Sequence, residues 1–292
     1  MSDLLSYDEI SHLLGCSENL PEVPSGPLRL SSYLEAGESD TREIEKIILS
    51  DPALTAGVLR AASSSLFGRQ RPVTTAREAI MVMGLRTLRS ISMAMYTHAL
   101  VCQSRHQSHF DPERFARNGN SVGSIANAIF KETFGLTPTY RWNADELYVG
   151  GVLHNVMFGL LSYAAPQEFN RLFELGKEEG CDLRTAFEAI HEHSLAELAP
   201  RAVKAMCLPE MFDSMIQGIE SPSSYPDEES VPYRVLRLSM LLADGSGNGL
   251  TPWPNLAEET GELAASLGLS VERVEELAEI GQTRATEFAR AA

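Results

Sequence analysis

Helix start and stop signals recur along this chain at intervals too short for anything but a stack of helices. Asp40 with Glu43 three residues later resembles a capping box, and Ile44, Ile47 and Ile48 follow as an apolar stripe of helical period. Asp51-Pro52 and Asp111-Pro112 each place a capping carboxylate before a proline at the first helical position. Thr75 with Glu78 opens a further helix that Gly84 stops, and Leu88, Ile91, Met95 and Ala99 mark the next stripe. Asn143 with Glu146 precedes the most apolar stretch, read as one helix over residues 145–164 and ended by Pro166. Further helical stretches follow at residues 167–179, 182–199, 201–207, 209–219, 232–244, 255–267 and 270–290, with prolines in the loops between them. No run alternates with period two for long enough to make a strand, and no repeat of fixed period appears. The expected fold class is all-α.

Composition narrows the setting. With 292 residues and 43% hydrophobic side chains, the chain can bury a real core without staples. Cys16, Cys102, Cys181 and Cys207 are too dispersed for a zinc knuckle, a redox pair or a disulfide framework. The first thirty residues hold five acids and one arginine with no unbroken apolar stretch, so no secretory signal is expected and the cytoplasm is the default. Residues 149–165 come nearest to a membrane span, but His154 and Asn155 interrupt them. No membrane partner is expected.

The net charge is −16, the wrong sign for a protein that follows a phosphate backbone, so no DNA partner is expected. The imbalance is uneven. Between Arg60 and Arg105 stand seven arginines and a single acid, Glu78. A solvated basic face is the simpler reading. Arg69, Arg71, Arg86 and Arg89 are nevertheless the candidate anion or partner surface, and a nucleotide-sensing role requires that they converge on one groove.

Three stretches together resemble a known family. They are Leu20-Pro21-Glu22-Val23-Pro24, then ILSDPALTAGVLRAASSSLFG at residues 48–68 followed by AIMVMG at 79–84, and Gly150-Gly151-Val152-Leu153-His154-Asn155. Weaker matches are Leu208-Pro209 and Leu241-Leu242-Ala243-Asp244. Over about residues 15–285 the chain resembles the HDOD family, relatives of the HD phosphohydrolases. Ser63-Ser64 stands where that family usually has Asn-Ser. The resemblance implies an N-terminal helical lobe, residues 1–110, packed on a C-terminal HD-hydrolase-like helical lobe, residues 111–292. It also implies a bacterial signalling role with protein partners.

An HD hydrolase holds a divalent ion with a His from one helix, a His-Asp tandem from another and a final Asp. The ion activates a bound water. In this chain the tandem reads His154-Asn155, and an amide replaces the carboxylate. The first His is absent; Asn120 is aligned with it, and His109 lies before the helix begins. Asp244 matches the final acid, and Glu220-Ser221 stands where many family members carry His-His. Asn120, His154, Asn155 and Asp244 are therefore the vestigial site positions, with no catalytic residue, metal or cofactor expected. The competing reading is a metal-dependent phosphohydrolase acting on a nucleotide or cyclic dinucleotide, which would need His109, His191 or Glu220 to complete a ligand set.

Other candidates have simpler explanations. His191 and His193 are two apart on a predicted helix and point to different faces, while Glu188 and Glu192 share one solvated face. Ser63-Ser64-Ser65 reads as a polar helix end. Met81, Met83, Met93 and Met95 read mainly as core filling, and Tyr140-Arg141-Trp142 as a shield at the lobe boundary.

Overall fold

The computed structural model describes residues 5–19, 25–63, 67, 71–101, 109–135, 142–206, 211–250, 252–253 and 255–291. Leu20-Pro21-Glu22-Val23-Pro24, Ser64-Ser65, Arg69, Tyr140-Arg141 and Leu208-Pro209 lie outside them. The helices are α1 (Tyr7–Gly15), α2 (Ser25–Glu35), α3 (Thr41–Leu49), α4 (Pro52–Ser63), α5 (Ala76–Val101), α6 (Pro112–Phe134), α7 (Ala144–Leu153) and α8 (Val156–Ala164). Then come α9 (Pro166–Glu179), α10 (Leu183–His191), α11 (Ala199–Ala205), α12 (Met211–Glu220), α13 (Asp227–Ala243), α14 (Leu256–Ser266) and α15 (Val271–Ala291). No strand occurs among the described residues.

The capping residues behave as their chemistry requires. The Asp111 carboxylate accepts from the backbone N–H groups of Glu113 and Arg114 at 3.0 Å each, fixing the start of α6. Asn143 accepts from Asp145 and Glu146 N–H at 2.9 Å each, and the Glu146 carboxylate accepts from Asn143 N–H at 2.9 Å. Gly84, with φ 72°, breaks α5 into two helical pieces, a conformation that a side chain would strain.

Two hydrophobic clusters result. The smaller is built from α2 to the first half of α5, with Leu30, Ile44, Ile48, Leu54 and Leu88 fully buried. The larger collects α6 to α15, but also takes Ile10 and Leu14 of α1 and Met93 and Tyr96 of α5. Each buried Leu, Ile or Phe contributes about 1.5–3 kcal/mol of transfer free energy. The cores thus divide the chain differently from a cut at residue 110.

The apolar stretch expected as one helix is two. It is long and apolar enough to cross a bilayer by composition, yet 83% of its most apolar window is buried inside the protein. A turn at His154–Asn155 separates α7 from α8. Helix α7 lies almost backbone to backbone on α6, since a methyl group on Gly151 would overlap the Gly123 backbone. That approach brings the turn against the middle of α6.

Candidate functional site

The break after Leu153 turns two polar side chains into the core, leaving His154 and Asn155 only 6% and 7% exposed. The His154 imidazole Nδ1 lies 2.5 Å from the Gly151 carbonyl, which fixes the proton on Nδ1 and leaves the lone pair on Nε2. Burial, reinforced by the positive charge of Arg184 and opposed by the carbonyl bond, pushes the imidazole pKa down to about 3. His154 is a neutral group.

Arg184 enters from the first turn of α10. Asp182 caps that helix, accepting from Thr185 N–H at 2.9 Å and from its hydroxyl at 2.6 Å. The Arg184 guanidinium donates from Nε to Glu220 at 2.6 Å. Its Nη2 donates to the Asn155 carbonyl oxygen at 2.8 Å and to the His154 main-chain carbonyl at 3.2 Å. Nη1 stands 3.9 Å from the Asp182 carboxylate, and the Phe158 ring lies 5.7 Å away. A buried cation is costly unless both its charge and its donors are matched. Here two carboxylates and two carbonyl oxygens surround it.

A line of amides continues from the cation. Asn155 Nδ2 donates to Asn118 Oδ1 at 3.2 Å, and Asn118 Nδ2 donates to Asp244 Oδ1 at 3.4 Å. Asp244 begins the turn after α13, and burial raises its carboxyl to about 7. The opposing pull of Arg184 is the smaller effect, and the charge of Asp182 adds to the rise. The remaining cavity, lined by His154, Asn155, Arg184, Asp244 and Trp253, is about 20 Å³, room for about one water. Trp253 is pinned at this wall: its indole N–H donates to Glu259 at 2.8 Å, and the Arg237 guanidinium lies over its ring at 4.4 Å.

The structure brings His154, Asn155 and Asp244 into one pocket, but it corrects Asn120. Two residues along a helix turn a side chain by about 200°, so Asn118 faces Asp244 while Asn120 accepts from the Tyr148 hydroxyl at 3.0 Å. Glu220 does reach the pocket, as the partner of Arg184. His109 is half exposed beside Glu174 at 3.1 Å. His191 is buried against Glu168 at 3.1 Å, and His193 is exposed and stacked on Tyr7. Glu192 is not on the face of Glu188, since it ends α10 with φ 59°. Among the described residues no group of three or more His, Cys, Asp or Glu is placed to hold a metal ion. The donor set does not fit one: two of its positions are neutral amides, and a guanidinium stands among the rest.

The arginines do not all converge. Arg71, largely exposed, pairs with Glu78 at 3.7 Å. Arg86 makes a two-pronged pair with Glu146 at 2.7 and 2.9 Å, and it lines one groove with Arg89.

An all-helical chain with a polar pocket at a broken helix, formed by a His-Asn tandem and an aspartate on a later helix, has the layout of the HD-related class. The HDOD domain profile matches residues 20–222. The chain belongs to the HDOD family. None of the curated proteins compared with the chain matches it. Among solved structures it is similar to an HDOD domain protein of unknown function from Geobacter sulfurreducens, at 21% identity, 97% and 98% coverage of the two chains and a TM-score of 0.72. It is also similar to a candidate phosphohydrolase from Shewanella amazonensis, at 20% identity, 94% and 97% coverage and TM-score 0.68. A third likeness is to a candidate signal transduction protein from Marinobacter aquaeolei, at 18% identity and TM-score 0.68, covering 100% of this chain and 62% of that one. These likenesses establish the fold.

Proposed function

We propose that this chain is a non-catalytic regulatory member of its family, a protein- or ligand-binding scaffold in bacterial cytoplasmic signalling. The observation that carries the reading is the Arg184 guanidinium, bonded to Asn155 and Glu220 inside the pocket where a hydrolase would hold its ion. A tethered monovalent cation satisfies the buried carboxylates, but it cannot lower the pKa of a water as a divalent ion does. The degenerate site then serves as a rigid polar core joining α6, α7, α10, α12 and α13. The designation of the Marinobacter protein as a candidate in signal transduction is in keeping with this reading.

Regulation would act through the seam between the cores, where Arg86 and Thr87 of α5 meet Glu146 and Asp145 of α7. Occupancy on one side shifts the balance of lobe arrangements that bind a partner on the other. The competing reading, a metal-dependent phosphohydrolase, draws on His154 and Asp244 sharing the pocket.

Hydrolysis assays on nucleoside mono-, di- and triphosphates and on cyclic dinucleotides, with added Mn²⁺ or Mg²⁺, separate the two. No turnover above the protein-free rate is expected. Metal-dependent turnover that Asp244→Asn abolishes would overturn the proposal.

A further inference from the structure

Helix α1 precedes the stretch that the HDOD profile matches, and its nine residues, Tyr7–Gly15, are too few to hold a helix alone. It lies across α8, α11 and the one-turn helix Leu195–Leu198 of the larger core. Ile10 and Leu14 are fully buried there, while Asp8, Glu9 and His12 face solvent. One polar bond fastens the middle of the helix, from Arg201 Nη1 to the Ser11 hydroxyl.

The first turn is fastened differently. Glu192, with φ 59°, reverses the chain after α10, so His191 turns inward to Glu168 and His193 lies against α1. The His193 imidazole stacks on the Tyr7 ring, with centroids 4.3 Å apart and an angle of 24° between the planes. Its Nδ1 lies 3.3 Å from Glu197 Oε2, the atom that also accepts from the Tyr7 hydroxyl at 3.4 Å. The other Glu197 oxygen accepts from Ser194 N–H at 3.2 Å, which fixes the carboxylate.

Only part of this arrangement depends on α1. Glu197 belongs to the larger core and faces the imidazole whether α1 is docked or released. Arg201 beside Tyr7 and His191 beside His193 also belong to elements of that core. Burial pushes the His191 pKa down, and its partner Glu168 is on α9. Tyr7 and the nearby Asp8 carboxylate leave with the helix. Glu9 is engaged by the Ser6 cap, and α8 carries no Asp, Glu, Lys, Arg or His. An imidazolium is drawn to the face of a phenol ring by its charge, an attraction that a neutral imidazole lacks. A proton on His193 therefore favours the docked helix, and docking favours the proton by the same factor.

We propose that α1 is a pH-sensitive strap, closed over the apolar bed of α8, α11 and Leu195–Leu198 and held more firmly when His193 is protonated against Tyr7. Opening it uncovers an apolar strip of the larger core while both cores stay folded. The latch follows the last turn of α10 and Arg184 stands in the first, so the strap is independent of the chemistry of the Arg184 pocket.

Hydrogen–deuterium exchange of the full chain, read by mass spectrometry on the α1 and α6 segments from about pH 5.5 to about pH 8, tests it. With chemical exchange rates normalised, α1 should be much less protected than α6, the signature of local release. Lowering the pH across that range should raise α1 protection about two- to fivefold. His193→Gln keeps a donor without the charge, and Tyr7→Leu keeps apolar packing without the ring face. Each should remove the rise. Protection of α1 equal to that of α6 would mean that the helix opens only with the whole protein, and would overturn the strap. A rise that either variant keeps, or no rise in the parent, would overturn the latch.

Discussion

Arg184 and Asn155 meet at 2.8 Å, with a guanidinium donor on an amide oxygen at the position where the HD tandem would present a metal-binding carboxylate. The same Arg184 is bonded to Glu220 at 2.6 Å, so the cation bridges α10, α12 and the turn between α7 and α8. Removing it leaves Glu220 and Asp182 facing an empty, largely buried space. Arg184→Ala should therefore cost about 3–5 kcal/mol, the usual result of breaking one side of a buried ion pair. Methylguanidinium at low millimolar concentration should raise the urea midpoint of the variant and leave the parent unchanged. Equal midpoints for variant and parent would contradict the role given to Arg184.

Asn155→Asp restores the family's tandem in sequence, but not its chemistry. The new carboxylate would gain an ion pair with Arg184 and lose the hydrogen bond that Asn155 Nδ2 gives to Asn118. The variant should fold and should take up no metal, because the guanidinium still fills the place. Metal analysis of the purified variant decides the point, and stoichiometric metal would show that Arg184 can be displaced.

Asp244 gives the stability a pH signature. Its folded-state carboxyl titrates at about 7, well above the ordinary 3.8. Below about pH 4 the group is protonated in folded and unfolded chains alike and makes no difference. From about 4 to about 7 the folded chain keeps a proton that the unfolded chain releases, so stability falls as pH rises and the full loss is present above 7. The advantage of Asp244→Asn over the parent should grow across that window and then level off. His154, held down to about 3, acts in the opposite sense: the unfolded chain binds the extra proton, and stability is lost as pH falls below about 6.5. Comparing the two proteins at each pH by urea unfolding isolates Asp244. An increment independent of pH would contradict its placement.

The seam between the cores should be graded. The Arg86 side chain is 61% exposed, so its pair with Glu146 is worth at most about 1 kcal/mol. Glu146 also caps α7 by accepting from Asn143 N–H, a bond that glutamine can still make. Glu146→Gln should cost about 1 kcal/mol and Glu146→Ala about twice that, with the cap adding roughly 1. Equal losses would assign the whole effect to the ion pair.

Much of this was legible in the residues. The caps at Asp111 and Asn143, the kink at Gly84 and the inward placement of His154, Asn155 and Asp244 all follow from local chemistry or the family pattern. Three features did not. The turn that splits the 145–164 stretch has no proline or left-handed glycine to mark it, and an apolar run looks the same whether or not it is broken. The choice of Asn118 over Asn120 depends on helix phase, which a two-residue alignment shift reverses. Arg184 was missed because its partners are 29 and 36 residues away in sequence. One signal was available: Arg184 is a cation in the first turn of a helix, where the dipole favours acids, so something other than helix stability holds it there.

Metal content of wild-type protein purified without chelator tests the central claim most directly. An Arg184 guanidinium that takes the place of the ion predicts transition-metal and magnesium levels far below one per chain, unchanged after incubation with Mn²⁺ and desalting. One tightly held divalent ion per chain, lost in Asp244→Asn, would contradict it.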